Sequence, residues 1–231
     1  MKTIGMIGGM SWESTALYYQ IVNREVQKRL GGVHSAQTLL YSFDFGEIDV
    51  LQRSGRWAEA TGRMTEIGAR LARGGADFLV ICCNTMHLMA DEVERASGIP
   101  LLHIADPLGA RIKVDGLARV GLIGSVFTME DDRIVRGRLA DIYGIETIVP
   151  SKAEAAEIDR VIVEELVCSR FLESSRAGYR EIMAGLVARG AEGIVLGCTE
   201  IPLLVSAEDS TVPLYDTALL HALAAVNRAL S

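Results

Sequence analysis

This 231-residue chain has no long basic run, no apolar segment of membrane-spanning length and few aromatic side chains. Lys and Arg number 23 against 30 Asp and Glu, and the formal net charge is −7. That balance argues against nucleic acid or an anionic membrane as a main partner, although local Arg side chains or helix N-termini could still bind an anionic small molecule. The longest apolar stretch, near Phe78 to Cys83, is far too short to span a bilayer. Trp12 and Glu13 interrupt the early apolar stretch, so no export signal is expected and a cytoplasmic location is. Cys82, Cys83, Cys168 and Cys198 are too few for a disulfide framework and read as free thiols. Lysine is confined to Lys2, Lys28, Lys113 and Lys152, none following a phosphate-binding loop, which leaves a pyridoxal-phosphate Schiff base unsupported. Gly5-Met6-Ile7-Gly8-Gly9 lacks the dinucleotide-binding spacing, and no His/Cys spacing matches a structural zinc site. No cofactor and no metal are therefore expected.

What is present is an alternation of apolar strands and amphipathic helices from end to end, the mark of an α/β fold with parallel sheets flanked by helices. Strands are expected at 3–7, 36–42, 77–82, 100–103, 119–123, 146–149, 193–197 and 212–215. Helices are expected at about 13–30, 57–73, from just after Cys83 towards 96, 107–113, 130–142, 153–167, 174–189, briefly after Thr199, and 217–230. The pattern restarts near Asp115-Gly116, a turn signal. Two lobes follow: residues 1–114 with about 208–231, the last helix packing back, and residues 115–207.

The restart is a repeat. Gly75-Ala76-Asp77-Phe78-Leu79-Val80-Ile81-Cys82-Cys83-Asn84-Thr85 aligns without a gap onto Gly190-Ala191-Glu192-Gly193-Ile194-Val195-Leu196-Gly197-Cys198-Thr199-Glu200. Ile4-Gly5-Met6-Ile7-Gly8 matches Val120-Gly121-Leu122-Ile123-Gly124 at nearly the same offset. Each copy ends an apolar strand on a thiol, and ligands of open parallel sheets bind beyond the carboxyl ends of the strands. A helix starting after each cysteine would stabilise a thiolate or hold a substrate carboxylate. Cysteine is also a small core hydrophobe, but two thiols at matched places in a duplicated unit favour chemistry needing two similar acid/base groups. Cys82 faces away from Cys83 along the strand and, like Cys168, reads as buried packing. His87, one turn past Cys83, could orient a thiolate or a substrate, with helix capping or packing the plainer role. Gln52 and Arg53, about ten residues beyond the second strand, could bind a carboxylate or be solvated surface.

Around Cys83-Asn84-Thr85, Gly197-Cys198-Thr199-Glu200 and the opening Ile4-Gly5-Met6-Ile7-Gly8-Gly9-Met10-Ser11-Trp12-Glu13-Ser14-Thr15, the chain resembles the cofactor-independent aspartate/glutamate racemase family, in its aspartate-racemase branch. The resemblance runs over essentially the whole length. It implies two pseudo-symmetric α/β lobes with the active site in the cleft between them, in a homodimer that binds a small amino acid. It implies Cys83 and Cys198 as the catalytic pair. Asn84, Thr85 and Thr199 would bind the α-groups, and Gly9, Met10 and Gln52 would line the pocket, with Arg53 a further candidate. Glu200 stands where the glutamate-racemase branch has histidine, and is counted with the substrate-binding residues. Retention of Cys83, where some relatives carry threonine, implies action on both substrate hands.

The expected activity is racemisation of aspartate and/or glutamate, one thiolate removing the Cα proton and the other thiol delivering one to the opposite face. Alternatives from the same architecture are a broad-specificity amino acid racemase, or a thiol-dependent isomerase or decarboxylase of small dicarboxylates. A cysteine hydrolase with His87 or His103 as base would form an acyl-thioester and would not need the second thiol. A two-lobed ligand sensor, or a redox or metal-binding protein using Cys82-Cys83, are further rivals.

Overall fold

A computed structural model describes residues 1–231. The chain divides into two compact units, Met1–Ile104 with His221–Ser231, and Ala105–Leu220.

The first unit is built on a parallel sheet in the order β2-β1-β3, formed by β1 (Ile4–Gly8), β2 (Thr38–Ser42) and β3 (Phe78–Ile81). β1 and β3 are buried along their whole length, the signature of parallel strands covered on both faces. Helix α1 (Trp12–Leu30) starts on an N-cap, Ser11, with Glu13 in its first turn. It buries Ser14, Thr15, Tyr18, Val22 and Val26, one face at helical spacing. Helices α2 (Phe45–Arg53), α3 (Trp57–Arg73) and α4 (Ala90–Ser97) follow in order, with a 3-10 turn at Thr85–Met89. The core of this unit joins Ile7, Met10, Ile48, Leu51, Met64, Leu79, Ile81 and Met86.

The second unit repeats the plan. Its parallel sheet runs β5-β4-β6-β7, from β4 (Arg119–Gly124), β5 (Glu146–Ile148), β6 (Ile194–Gly197) and β7 (Leu214–Asp216). Thus β5-β4-β6 reproduces β2-β1-β3, as the sequence repeat requires. Even the fourth position has a counterpart: Ile194 pairs with Leu214, and in the first unit Leu79 forms a single parallel bridge with Leu101. Helices α5 (Ala105–Val114), α6 (Val126–Glu130), α7 (Arg136–Tyr143), α8 (Lys152–Glu164) and α9 (Glu173–Ala188) belong here. A capping box between Ser151 and Glu154 starts α8. The last helix, α10 (Thr217–Leu230), begins with this unit and continues into the first from His221.

Several elements differ from expectation. The helix expected at 130–142 is broken into α6 and α7, because Asp131 turns back on the chain and accepts from the Arg133 amide at 3.0 Å and its guanidinium at 2.6 and 2.9 Å. The strand expected at 100–103 shrinks to the Leu101 bridge; Pro100 brings no N–H to a ladder, and His103 is buried. Helix α2 went unpredicted. Residues 105–114 and 208–220, placed in the first lobe from sequence, pack in the second unit. Asp106 is held by Arg138 at 2.6 and 2.9 Å, and β7 extends the second sheet.

Candidate functional site

In the first unit the site grows from the carboxyl ends of β1 and β3. After β1 the chain turns through Gly9, whose φ of 87° is a left-handed conformation, and whose Cα lies so close to the Phe43 backbone that a Cβ would collide with it. The Gly9 amide donates to Thr15 Oγ1 at 2.8 Å, and that hydroxyl donates to the Ser11 carbonyl at 2.7 Å. The first turn of α1 therefore holds the loop before it. Met10 is buried and joins the apolar core.

The Cys82 amide donates to the Ile7 carbonyl at 2.9 Å, which fixes the end of β3 beside β1. Cys82 is fully buried, and burial pushes its thiol pKa far up, so it stays protonated and inert. Cys83, the next residue, is only partly buried. Asn84 and Thr85 are buried beside it. The segment that follows is a 3-10 turn rather than the expected helix: the His87 amide donates to the Asn84 carbonyl at 3.0 Å.

Gln52 comes from α2, on the face that also buries Ile48 and Leu51. Its amide Nε2 lies 2.9 Å from Met86 Sδ, which ties it to the turn after Cys83. Arg53, one residue on, is half exposed and pairs with Asp49 at 2.9 Å along the same helix. Thr15 and Ser11, which organise the loop, were not singled out from sequence as loop-holding residues; the Ser11-Trp12-Glu13 start of a helix was their available signal.

In the second unit the equivalent position, beyond β6, carries Cys198-Thr199-Glu200. Glu200 is buried, and one carboxylate oxygen accepts from Cys198 Sγ and from Thr199 Oγ1, each at 3.0 Å. Cys198 is partly buried. A carboxylate within hydrogen-bond reach of a thiol is an acceptor for its proton. Glu200 is therefore engaged with the thiol as well as standing among the expected substrate-binding residues. The chain continues into a 3-10 turn at Ile201–Leu203, where a brief helix was expected after Thr199. Close packing fixes the strand ends: a Cβ on Gly124 would lie 2.8 Å from the Gly197 carbonyl oxygen. Tyr179 is buried and its pKa is raised, by burial first and then by Cys198 among its neighbours. No group of three or more His, Cys, Asp or Glu could hold a metal ion, and no helix is long and apolar enough to cross a membrane.

Two α/β units, each built on a parallel sheet with a partly exposed thiol beyond the equivalent strand, define a duplicated α/β protein with matched cysteine sites. The chain belongs to the Asp/Glu/Hydantoin racemase family, whose model matches residues 7–225. It is similar over its full length to the crystal structure of a candidate Asp/Glu racemase from Yersinia pestis, at 47% identity and TM-score 0.92, with 100% of each chain covered. An aspartate racemase homologue from Pyrococcus horikoshii OT3 matches at 30% identity and TM-score 0.85, also over 100% of each chain. A glutamate racemase of Pseudomonas paraeruginosa is 26% identical over 211 residues, 90% of this chain and 75% of that protein.

Proposed function

We propose that this protein is a cofactor-independent racemase of aspartate or glutamate in which Cys83 and Cys198 are the two bases, and that it works as a cytoplasmic homodimer. The observation that carries the reading is the pair of partly exposed cysteines at equivalent strand ends of a duplicated unit, in a chain of the racemase family.

The chemistry asks for removal of a weakly acidic Cα proton from one face and delivery of a proton to the other. One cysteine acts as thiolate: its sulfur lone pair takes the Cα proton and becomes S–H. The other acts as thiol: its proton goes to the opposite face of the carbanion, leaving a thiolate. Charge and protons balance, and the roles exchange with the hand of the substrate. Glu200 accepts the hydrogen bond of the Cys198 thiol at 3.0 Å and so orients that side chain. The carboxylate of the substrate must be met by fixed donors, since the carbanion's charge spreads onto it. Asn84, Thr85 and Thr199 adjoin the two thiols and are assigned that task; Gly9, Met10, Gln52 and Arg53 are assigned to the pocket wall.

The test is proton NMR in deuterium oxide with L- and D-aspartate and L- and D-glutamate and no added cofactor. Cα deuterium should enter each active substrate with loss of optical rotation. Cys83→Ala and Cys198→Ala should each lower racemisation by about 100- to 10,000-fold, the usual contribution of a positioned acid or base. Near-normal racemisation by either variant removes that cysteine from the mechanism.

A further inference from the structure

Behind Cys83 lie three buried imidazoles that the proposed reaction does not use. His87, His103 and His221 are all buried, His221 fully. Ring centroids lie 4.6 Å apart for His87 and His103, and 5.6 Å for His87 and His221.

The hydrogen bonds fix where the protons sit. The Ile104 amide can only donate, and its acceptor is His87 Nε2 at 3.1 Å. Nε2 therefore presents a lone pair, and the neutral ring carries its proton on Nδ1. Nδ1 lies 2.8 Å from the Cys83 carbonyl oxygen, which can only accept. Both partners demand the same tautomer. The same logic orders His221: Nε2 donates to the Leu102 carbonyl at 2.8 Å, and Nδ1 accepts from the Tyr18 hydroxyl at 3.0 Å. Thus α1 and α10 grip the segment that presents the Ile104 amide. With both nitrogens of His87 and His221 occupied, the cluster is no metal site.

The backbone shows why a ring is needed here. In an α-helix the Cys83 carbonyl would accept from the amide four residues on. That amide belongs to His87 and is bonded to Asn84 instead. The side chain of the same residue supplies a donor to Cys83 in its place.

We infer that His87 is a positioning residue for the reaction: its Nδ1–H tethers the Cys83 carbonyl and so fixes the peptide that carries the thiol. The kinetic part of this inference rests on the racemase reading; the structural part does not. Burial, then the neighbouring His103 and His221, hold the pKa of His87 well below its ordinary value, which keeps the ring in the neutral form the tether needs.

Two substitutions divide the ring's two bonds. His87→Asn places its amide NH2 near the Nδ1 position and keeps the donor to Cys83, while giving up the Ile104 acceptor. His87→Gln reaches the Nε2 position and keeps that acceptor, while giving up the tether. Both delete the ring, so a packing role would affect them alike. The expected result for His87→Gln is a kcat lower by about 10- to 100-fold with KM little changed, the cost of a misplaced reacting group. Its Cys83 alkylation rate by iodoacetamide, read by peptide mass spectrometry, should change while that of Cys198 does not. His87→Asn should stay within about threefold of the parent in both measures, the net worth of one neutral hydrogen bond. Equal behaviour of the two variants overturns the inference. Should both variants misfold, nitrogen-15 NMR of the unaltered protein decides: a Nδ1–H tautomer for His87 upholds the tether, and a Nε2–H or charged ring overturns it. If the unaltered protein exchanges no Cα proton, the racemase reading falls, and the Cys83 alkylation contrast still judges the tether.

Discussion

Acid should loosen the first unit through His87. Burial, reinforced by His103 and His221, keeps the folded ring's pKa well below the ordinary 6.5. In the unfolded chain the ring titrates near its ordinary value, so below about pH 6.5 the unfolded state takes up a proton that the folded state refuses. Stability from this group is complete above that pH. It falls as the pH drops, by about 1.4 kcal/mol per pH unit, until the folded ring itself titrates. Down to pH 5.0 one such ring can cost at most about 2 kcal/mol, a sizeable fraction of the stability of an ordinary domain. The pKa of Glu59, in the same unit, is held low by its hydrogen bonds from Arg56, so its contribution is lost only further into acid. The assay is urea unfolding at pH 7.5 and 5.0 followed by tryptophan fluorescence, because Trp12 and Trp57 both lie in the first unit. The parent should lose stability between the two conditions, and His87→Asn should lose less than the parent, by up to about 2 kcal/mol. Equal parental stability at both pH values, or an undiminished loss in the variant, refutes the reasoning.

Glu200→Gln should lower kcat about 10- to 100-fold, because a charged acceptor contributes about 1.5–3 kcal/mol to its hydrogen bond with the Cys198 thiol; the D2O exchange assay checks it. Thr15→Val removes the acceptor of the Gly9 amide and leaves a buried donor without it, at a cost of about 1–3 kcal/mol measurable by urea titration. Gly124→Ala forces a methyl against the Gly197 carbonyl and should destabilise the second unit by about 1–3 kcal/mol, read as a lower thermal midpoint.

The repeated pattern of the strands was legible because parallel strands buried on both faces are nearly continuous apolar runs, and the copies align without a gap. The order β5-β4-β6 follows that repeat. The matched thiols were legible for the same reason. Helix α2 was missed although Asp44, whose carboxylate accepts from the Gly46 amide at 2.9 Å, and Glu47 three residues later form a recognisable start. Its nine residues are short, and Gly46 and Asp49 weaken the propensity signal. The contact of Gln52 with Met86 joins residues 34 apart in sequence and has no local trace. The bond between Glu200 and Cys198 is local, yet spacing alone does not say whether a carboxylate turns towards a thiol or a ligand. The helix expected after Cys83 turned 3-10 because backbone and side chain of His87 divide their bonds between Asn84 and Cys83, a competition that hydrophobic periodicity does not register.

The Lys2 amide donates to the carbonyl of Ala229 at 2.8 Å, and His221 completes the imidazole group behind Cys83. The first unit is thus finished by a segment that comes after the whole of the second in the chain. On the ribosome, Met1–Ile104 therefore waits for its closing strap until all of Ala105–Leu220 has been made. A chain stopped short of His221 would carry every residue of the first sheet and still lack the piece that seats its histidines.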